Sequence, residues 1–168
     1  MEGLTAYIIP ISSLKQGVYT YNFLADDQFF KQFEGTLIEK AQLEIKLALE
    51  KKSALFELFF EISGNIATTC DRCLEFMQLP VEEQHRLLVK FSDTLEDDLE
   101  VSYIPMGSQD LDVSTYIYEF AHLCIPMVKT HEDVDEDCPV DLEDFLEDDP
   151  SENDSASIWD ALKDINLK

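Results

Sequence analysis

The chain has no long hydrophobic run: nothing in its 168 residues approaches the roughly 20 apolar positions a membrane-spanning helix requires. Its start, Met1-Glu2-Gly3-Leu4, lacks the basic stretch and apolar core of a secretory signal, so the expected location is cytoplasmic. Glycine is scarce, with five residues and no Gly-rich loop to cradle a phosphate, and no nucleophile elbow is present. Four unevenly spaced cysteines are too few for a secreted disulfide scaffold, which leaves thiol or metal chemistry for them. Positive charge is the last shortage. Residues 1–91 hold nine Lys/Arg against thirteen Asp/Glu, and residues 92–168 hold three against twenty-three, so −20 of the net −24 lies in the second half. A surface of that sign repels phosphate at long range; it disfavours a broad grip on nucleic acid and favours a basic protein partner. The plainer reading is that the acid serves solubility.

What is present is a substantial apolar fraction, 45%, enough to offset the ordering entropy of one folded unit. The expected architecture is α+β: an antiparallel β-rich domain, a curved sheet or partial barrel, with a few helices and an acidic C-terminal extension. Val18–Leu24 reads as a strand, and Asp26-Asp27-Gln28 opens a short helix carrying Phe29, Phe30 and Phe33 that ends at Gly35. From Glu39, the alternation of Ala41, Leu43, Ile45, Leu47 and Leu49 with polar residues is that of a half-buried strand. Lys51-Lys52-Ser53 turns it into Leu55–Ile62, with Ser63-Gly64-Asn65 expected as a bulge or bend before Ile66–Thr69. Val81–Phe91 alternates as a strand in preference to a helix, an acidic loop spans Asp93–Asp98, and Leu99–Ile104 is a short strand. Val113, Ile117, Phe120 or Ala121, and Cys124 recur at helical spacing from Asp112 until Pro126, which places Cys124 in the core. The domain is drawn as 1–131. Residues 132–154, with thirteen acids and no Lys or Arg, are expected as a flexible acidic linker, and 155–168 as a final helix whose Ile158, Trp159, Leu162 and Ile165 offer a partner-binding stripe.

Cys70-Asp71-Arg72-Cys73 at a strand-to-strand turn gives two thiols on one side, half of a tetrahedral zinc centre. The other half would come from Cys138, which has no packing reason to stand in a polar segment, and from His131 or a nearby carboxylate. Two alternatives stay open: two reduced cysteines in a turn, or a thiol redox pair. The redox pair is disfavoured because Leu74–Pro80 does not look helical and Asp71 and Glu75 oppose a thiolate. No acid, base and nucleophile set accompanies the cysteines, so the chain is expected to be non-enzymatic. Lys40, Lys46, Lys51 and Lys52 are the only candidate basic patch, and they read first as the solvated edge and turn of a hairpin.

In order, a β-rich half leads into Thr69-Cys70-Asp71-Arg72-Cys73-Leu74, an acidic middle follows, and a helix closes in Ile125-Pro126-Met127-Val128-Lys129-Thr130-His131-Glu132. A later cysteine and the terminal Ile158-Trp159-Asp160-Ala161-Leu162-Lys163 complete the series. This order resembles the YceD-like family of large ribosomal RNA subunit accumulation proteins, of which the chain looks like a divergent member. The resemblance implies a non-catalytic role in ribosome biogenesis, in synthesis, processing or stability of the large-subunit RNA, with zinc as a possible cofactor. It also implies a partner in the large-subunit ribosomal proteins or the pre-ribosomal particle. The family's further cysteines after the His-acid pair are reduced here to Cys138. Two other functions compete: a direct RNA-binding module autoinhibited by its acidic tail, and a zinc-binding structural protein. Removing 132–154 would strengthen RNA binding under the autoinhibited reading and weaken protein binding under the biogenesis reading.

Overall fold

The computed structural model describes residues 4–92 and 101–138. The chain divides into two compact units, Met1–Cys138 and Pro139–Lys168, and the fold below is that of the first. Strand β1 (Ile8–Pro10) follows a 3-10 turn at Thr5–Tyr7; β2 (Gly17–Asp26), helix α1 (Asp27–Phe30), β3 (Lys40–Lys51), β4 (Leu55–Thr69) and β5 (Phe76–Phe91) come next. Then come β6 (Val101–Ile104), β7 (Asp110–Asp112), helix α2 (Ser114–Leu123) and a 3-10 turn at His131–Val134. The main sheet has order β2-β3-β4-β5-β6, antiparallel except for the last pair, where β6 runs parallel to β5. It is an open sheet, so the expected α+β class holds with one parallel strand at its edge. A ribbon of β1 and β7, three residues each and too short to leave a periodic signal, completes the domain.

The alternation in β3 does what its period dictates. Ala41, Leu43, Ile45, Leu47 and Leu49 are all buried, and the register sets Leu49 opposite Leu58, Leu47 opposite Phe60 and Ile45 opposite Ile62. Helix α2 covers this face: the Phe120 ring meets Phe60 at 5.1 Å and lies parallel to His85 at 4.6 Å, while Ile117 and Ala121 are fully buried. Helix α1 is capped as its sequence requires, with Asp26 Oδ1 accepting from the Gln28 and Phe29 amides, and it sends Phe29 and Phe30 into the same core. No helix among the described residues is long and apolar enough to cross a membrane.

Two expectations are revised. Ser63-Gly64-Asn65 is not a bulge: Ser63 pairs with Glu44, Gly64 with Leu43 and Asn65 with Gln42 without an extra residue, and the pairing to β5 is equally continuous. Glycine is needed there because β3 passes so close that a Cβ would lie 2.1 Å from the Gln42 carbonyl oxygen. Pro80 sits inside β5, where β4 pairs on one side while β6 reaches only Leu88–Phe91, so its missing N–H removes no ladder bond. Residues 132–138, assigned from sequence to the linker, belong to the compact unit that ends at Cys138. The acidic loop at 93–98 and the stripe Ile158, Trp159, Leu162 and Ile165 lie outside the described residues.

The face of the sheet away from α2 carries one buried charge. Glu57 is 4% exposed, and its carboxylate accepts from Lys52 and Arg86, with Lys52 also 3.4 Å from Glu50. Lys51 donates to the carbonyls of Ile11 (3.1 Å) and Leu14 (2.9 Å), so two of the four hairpin lysines are committed to structure. The bond from Lys52, with that from Arg86, holds the Glu57 carboxyl below the usual range against the upward push of burial. The linked stability is present above the unfolded carboxyl's value of about 4.3 and is lost as pH falls through the lower folded value. Urea midpoints recorded between neutral pH and about pH 3 are expected to fall across that window. In Glu57→Gln the fall should be shallower.

Candidate metal centre

The β4–β5 hairpin closes through Cys70–Glu75 in a tight knuckle. The Cys70 amide donates to the Glu75 carbonyl (2.9 Å), the Leu74 amide returns to the Cys70 carbonyl (2.9 Å), and the Arg72 amide points at Cys70 Sγ (3.4 Å). Leu74 takes the left-handed conformation, φ 62°, that the reversal demands. A second limb lies alongside. After α2 the chain runs through Pro126 to Lys129, and the Asp71 amide donates to the Lys129 carbonyl at 2.8 Å. The Asp71 carboxylate in turn accepts from the Lys129 amide and ammonium, both at 2.9 Å, which holds its own carboxyl below the usual range. Arg72 reaches Glu132 at 2.8 Å. Thr130 and Asp133 form a capping box that starts the 3-10 turn, and Asp135 ends it at φ 57°, leaving the Glu136 amide on the His131 carbonyl.

These clamps bring four side chains to one point. Cys70, Cys73, His131 and Cys138 offer ligand atoms all within 4.8 Å of one another. Cys70 Sγ is 3.8 Å from Cys138 Sγ, and His131 Nδ1 is 3.4 Å from Cys73 Sγ and 3.8 Å from Cys138 Sγ. For a tetrahedral ion with bonds of about 2.3 Å to sulfur and 2.0 Å to nitrogen, the edges would be about 3.8 Å for S–S and about 3.6 Å for S–N. The three edges above lie close to those values, and the four residues lie close enough to hold a metal ion. Cys70 and His131 are buried and the other two half-buried.

Burial and hydrogen bonding move the thiols in opposite directions. Burial pushes the Cys70 thiol up, but the backbone N–H groups of Cys73 and Arg72, with His131, outweigh it and bring the value down to about 6. Burial and the nearby sulfurs of Cys70 and Cys73 push the Cys138 thiol up to about 11. One sulfur is ready to ionise while its neighbour resists, and a bound cation would relieve that conflict.

All four residues named from the sequence as candidate ligands therefore meet, His131 among them, while Glu132 and Asp133, its adjacent carboxylates, are taken by Arg72 and by the Thr130 cap. Asp71 does not oppose a thiolate as its position in the motif suggested, since its carboxylate turns to Lys129. No helix follows Cys73, so the dipole that activates a redox pair is missing. Cys124 stands apart on α2, its thiol donating to the Phe120 carbonyl at 3.2 Å and raised by burial to about 11. His122 accepts from the Leu37 amide through Nε2 and lies 2.8 Å from the Tyr118 carbonyl through Nδ1. Sequence reasoning missed the clamps, although an Asp-Arg pair inside the knuckle facing a Lys and a Glu three positions apart is a signal of opposite-charge pairing.

No curated protein and no solved structure matches the chain. The family model described as Large ribosomal RNA subunit accumulation protein YceD matches residues 58–166, from within β4 and through all four clustered ligands. That span is well over half of the sequence, and the chain belongs to this family.

Proposed function

We propose that the protein is a non-catalytic, cytoplasmic factor of large-subunit ribosome biogenesis, fastened by a zinc ion and supporting accumulation of the large-subunit RNA through a basic protein partner. Membership of the family described by that RNA carries the biogenesis role. Three thiolates and an imidazole at tetrahedral spacing suit zinc better than the hard, oxygen-seeking cations. A non-catalytic reading is supported by the tasks already given to the histidines: His85 stacks on Phe120, His122 anchors Leu37, and His131 faces the sulfurs. The partner reading is supported by charge, because twenty-three acids against three basic residues after position 91 attract a basic protein and repel an RNA backbone.

Deleting 132–154 would test the partner but would also remove Cys138, so the acids between Asp141 and Asp154 are better replaced by Asn and Gln. Wild-type protein used as bait in cell extract should recover basic large-subunit proteins, identified by mass spectrometry, and lose them as salt is raised. The neutralised variant should recover several-fold less. Recovery of naked ribosomal RNA without such proteins, strengthened in the variant, would instead support the autoinhibited RNA-binding module and overturn this proposal.

A further inference from the structure

The knuckle end of the domain bears large apolar side chains that nothing among the described residues covers. On the first limb Leu74 is 76% exposed and Phe76 58%; on the second Met127 is 100% exposed and Val128 67%. Scattered apolar residues are ordinary on a protein surface. These are not scattered: the bonds between Asp71 and Lys129 fasten one limb to the other, with Leu74 and Phe76 following on one side and Met127 and Val128 preceding on the other. Phe76 also lines a hollow with Leu37, itself 83% exposed, at the same end of β4 and β5.

The surroundings are acidic. Residues 129–138 hold one lysine against five exposed acids; Lys129 pairs with Asp71, Glu132 with Arg72, and Asp133 caps the 3-10 turn, which leaves Asp135, Glu136 and Asp137 against Lys40 at the edge of the hollow. Apolar anchors in a predominantly acidic neighbourhood form the complement of a cationic segment with apolar residues of its own. A second copy of the chain would bring the same acids against them, and a nucleic-acid backbone or an anionic membrane would meet the same repulsion. We infer that the knuckle end, formed by Leu74, Phe76, Met127 and Val128, is the docking surface for a Lys/Arg-rich protein segment carrying apolar anchors. This deepens the biogenesis reading and rests on it: the surface is where the basic partner is gripped, while the acids further along the chain add long-range attraction.

The test uses full-length, zinc-loaded protein and two synthetic peptides of equal length and equal positive charge, one with two leucines and a phenylalanine among its lysines and arginines, the other with serines there. Anisotropy titration at physiological salt should show wild type binding the anchored peptide about tenfold or more tightly than the serine peptide, the scale expected of a few buried anchors. Leu74→Ser on one limb, and Met127→Ser with Val128→Ser on the other, alter exposed side chains, and each should collapse that ratio toward one while leaving zinc content and near-UV circular dichroism unchanged. Glu136→Gln with Asp137→Asn should weaken both peptides and flatten their salt dependence. Equal binding of the two peptides by wild type, or an undiminished ratio in both limb variants, would overturn the assignment of the surface while leaving the biogenesis reading standing. Wild type that binds neither peptide but binds ribosomal RNA would overturn both.

Discussion

Purified wild-type protein is expected to contain about one zinc per chain, and Cys138→Ser protein almost none. The argument is one of ligand count and charge. With Cys138 the site has three sulfurs and one imidazole, enough to close a structural tetrahedron; without it the set is three ligands and an open position of the kind found in catalytic sites. Losing an outer hydrogen-bond partner of a ligand commonly costs 10–100-fold in affinity, so losing a thiolate ligand should exceed about 100-fold. Cys70→Ser should behave the same way, and Cys124→Ser should keep its metal, because Cys124 packs on α2 with its thiol on the Phe120 carbonyl. Elemental analysis after dialysis, with a chromophoric chelator for affinity, reads the result. A stable, metal-free wild type would end the zinc proposal and leave three reduced thiols and an imidazole in contact.

The second large effect is expected at Gly64, far from any chemistry. Gly64 has φ +145°, and an added Cβ would stand 2.1 Å from the Gln42 carbonyl oxygen and 3.0 Å from the Leu43 Cα, both backbone atoms of the neighbouring strand. No rotamer change can relieve such an overlap; β3 and β4 must part at the centre of the sheet, beside Leu43 and Ile62. Gly64→Ala should therefore lower unfolding free energy by about 3 kcal/mol or more, in the upper range for single substitutions. Gly17→Ala isolates the conformational part, since Gly17 has a similar φ of +151° and nothing within 4 Å of its Cβ position. Its cost should be about 1 kcal/mol. Chemical denaturation of the two variants side by side gives the comparison, and equal losses would show that strain in φ, not the approach of β3, governs Gly64.

Gly64 also shows where sequence reading reaches its limit. The period-two pattern of β3 and the return of β4 are visible because half-burial imposes alternation on every residue, and all five apolar residues named on β3 are buried. A glycine among polar neighbours carries two readings, bulge or close approach, and only the register decides between them. The candidate ligands were legible in part: paired thiols in a turn make half of a tetrahedral site, and a cysteine stranded among acids lacks a packing explanation. What brings them together was not legible, because the Asp71–Lys129 and Arg72–Glu132 pairs join segments roughly sixty residues apart. Strand β7 and the parallel placement of β6 were equally hidden, since three or four residues cannot establish a period and strand direction leaves no mark in composition.

Cys70 and Cys138 are 68 positions apart, so an ion held between them would be a cross-link across most of the second half of the described fold. On the chain-entropy view, tying off a loop of that length removes freedom from the unfolded chain worth about 4 kcal/mol. During synthesis the β2–β5 sheet is complete long before Cys138 appears, so the sheet can form while the fastener waits for its last ligand. Between those two moments the enclosed stretch, with β6, β7 and α2, depends on packing and on the short β5–β6 and β1–β7 ladders. Zinc shortage, or oxidation of the crowded sulfurs, would therefore act on this protein as a late-closing clasp left undone, loosening β6, β7 and α2 before the β2–β5 strands.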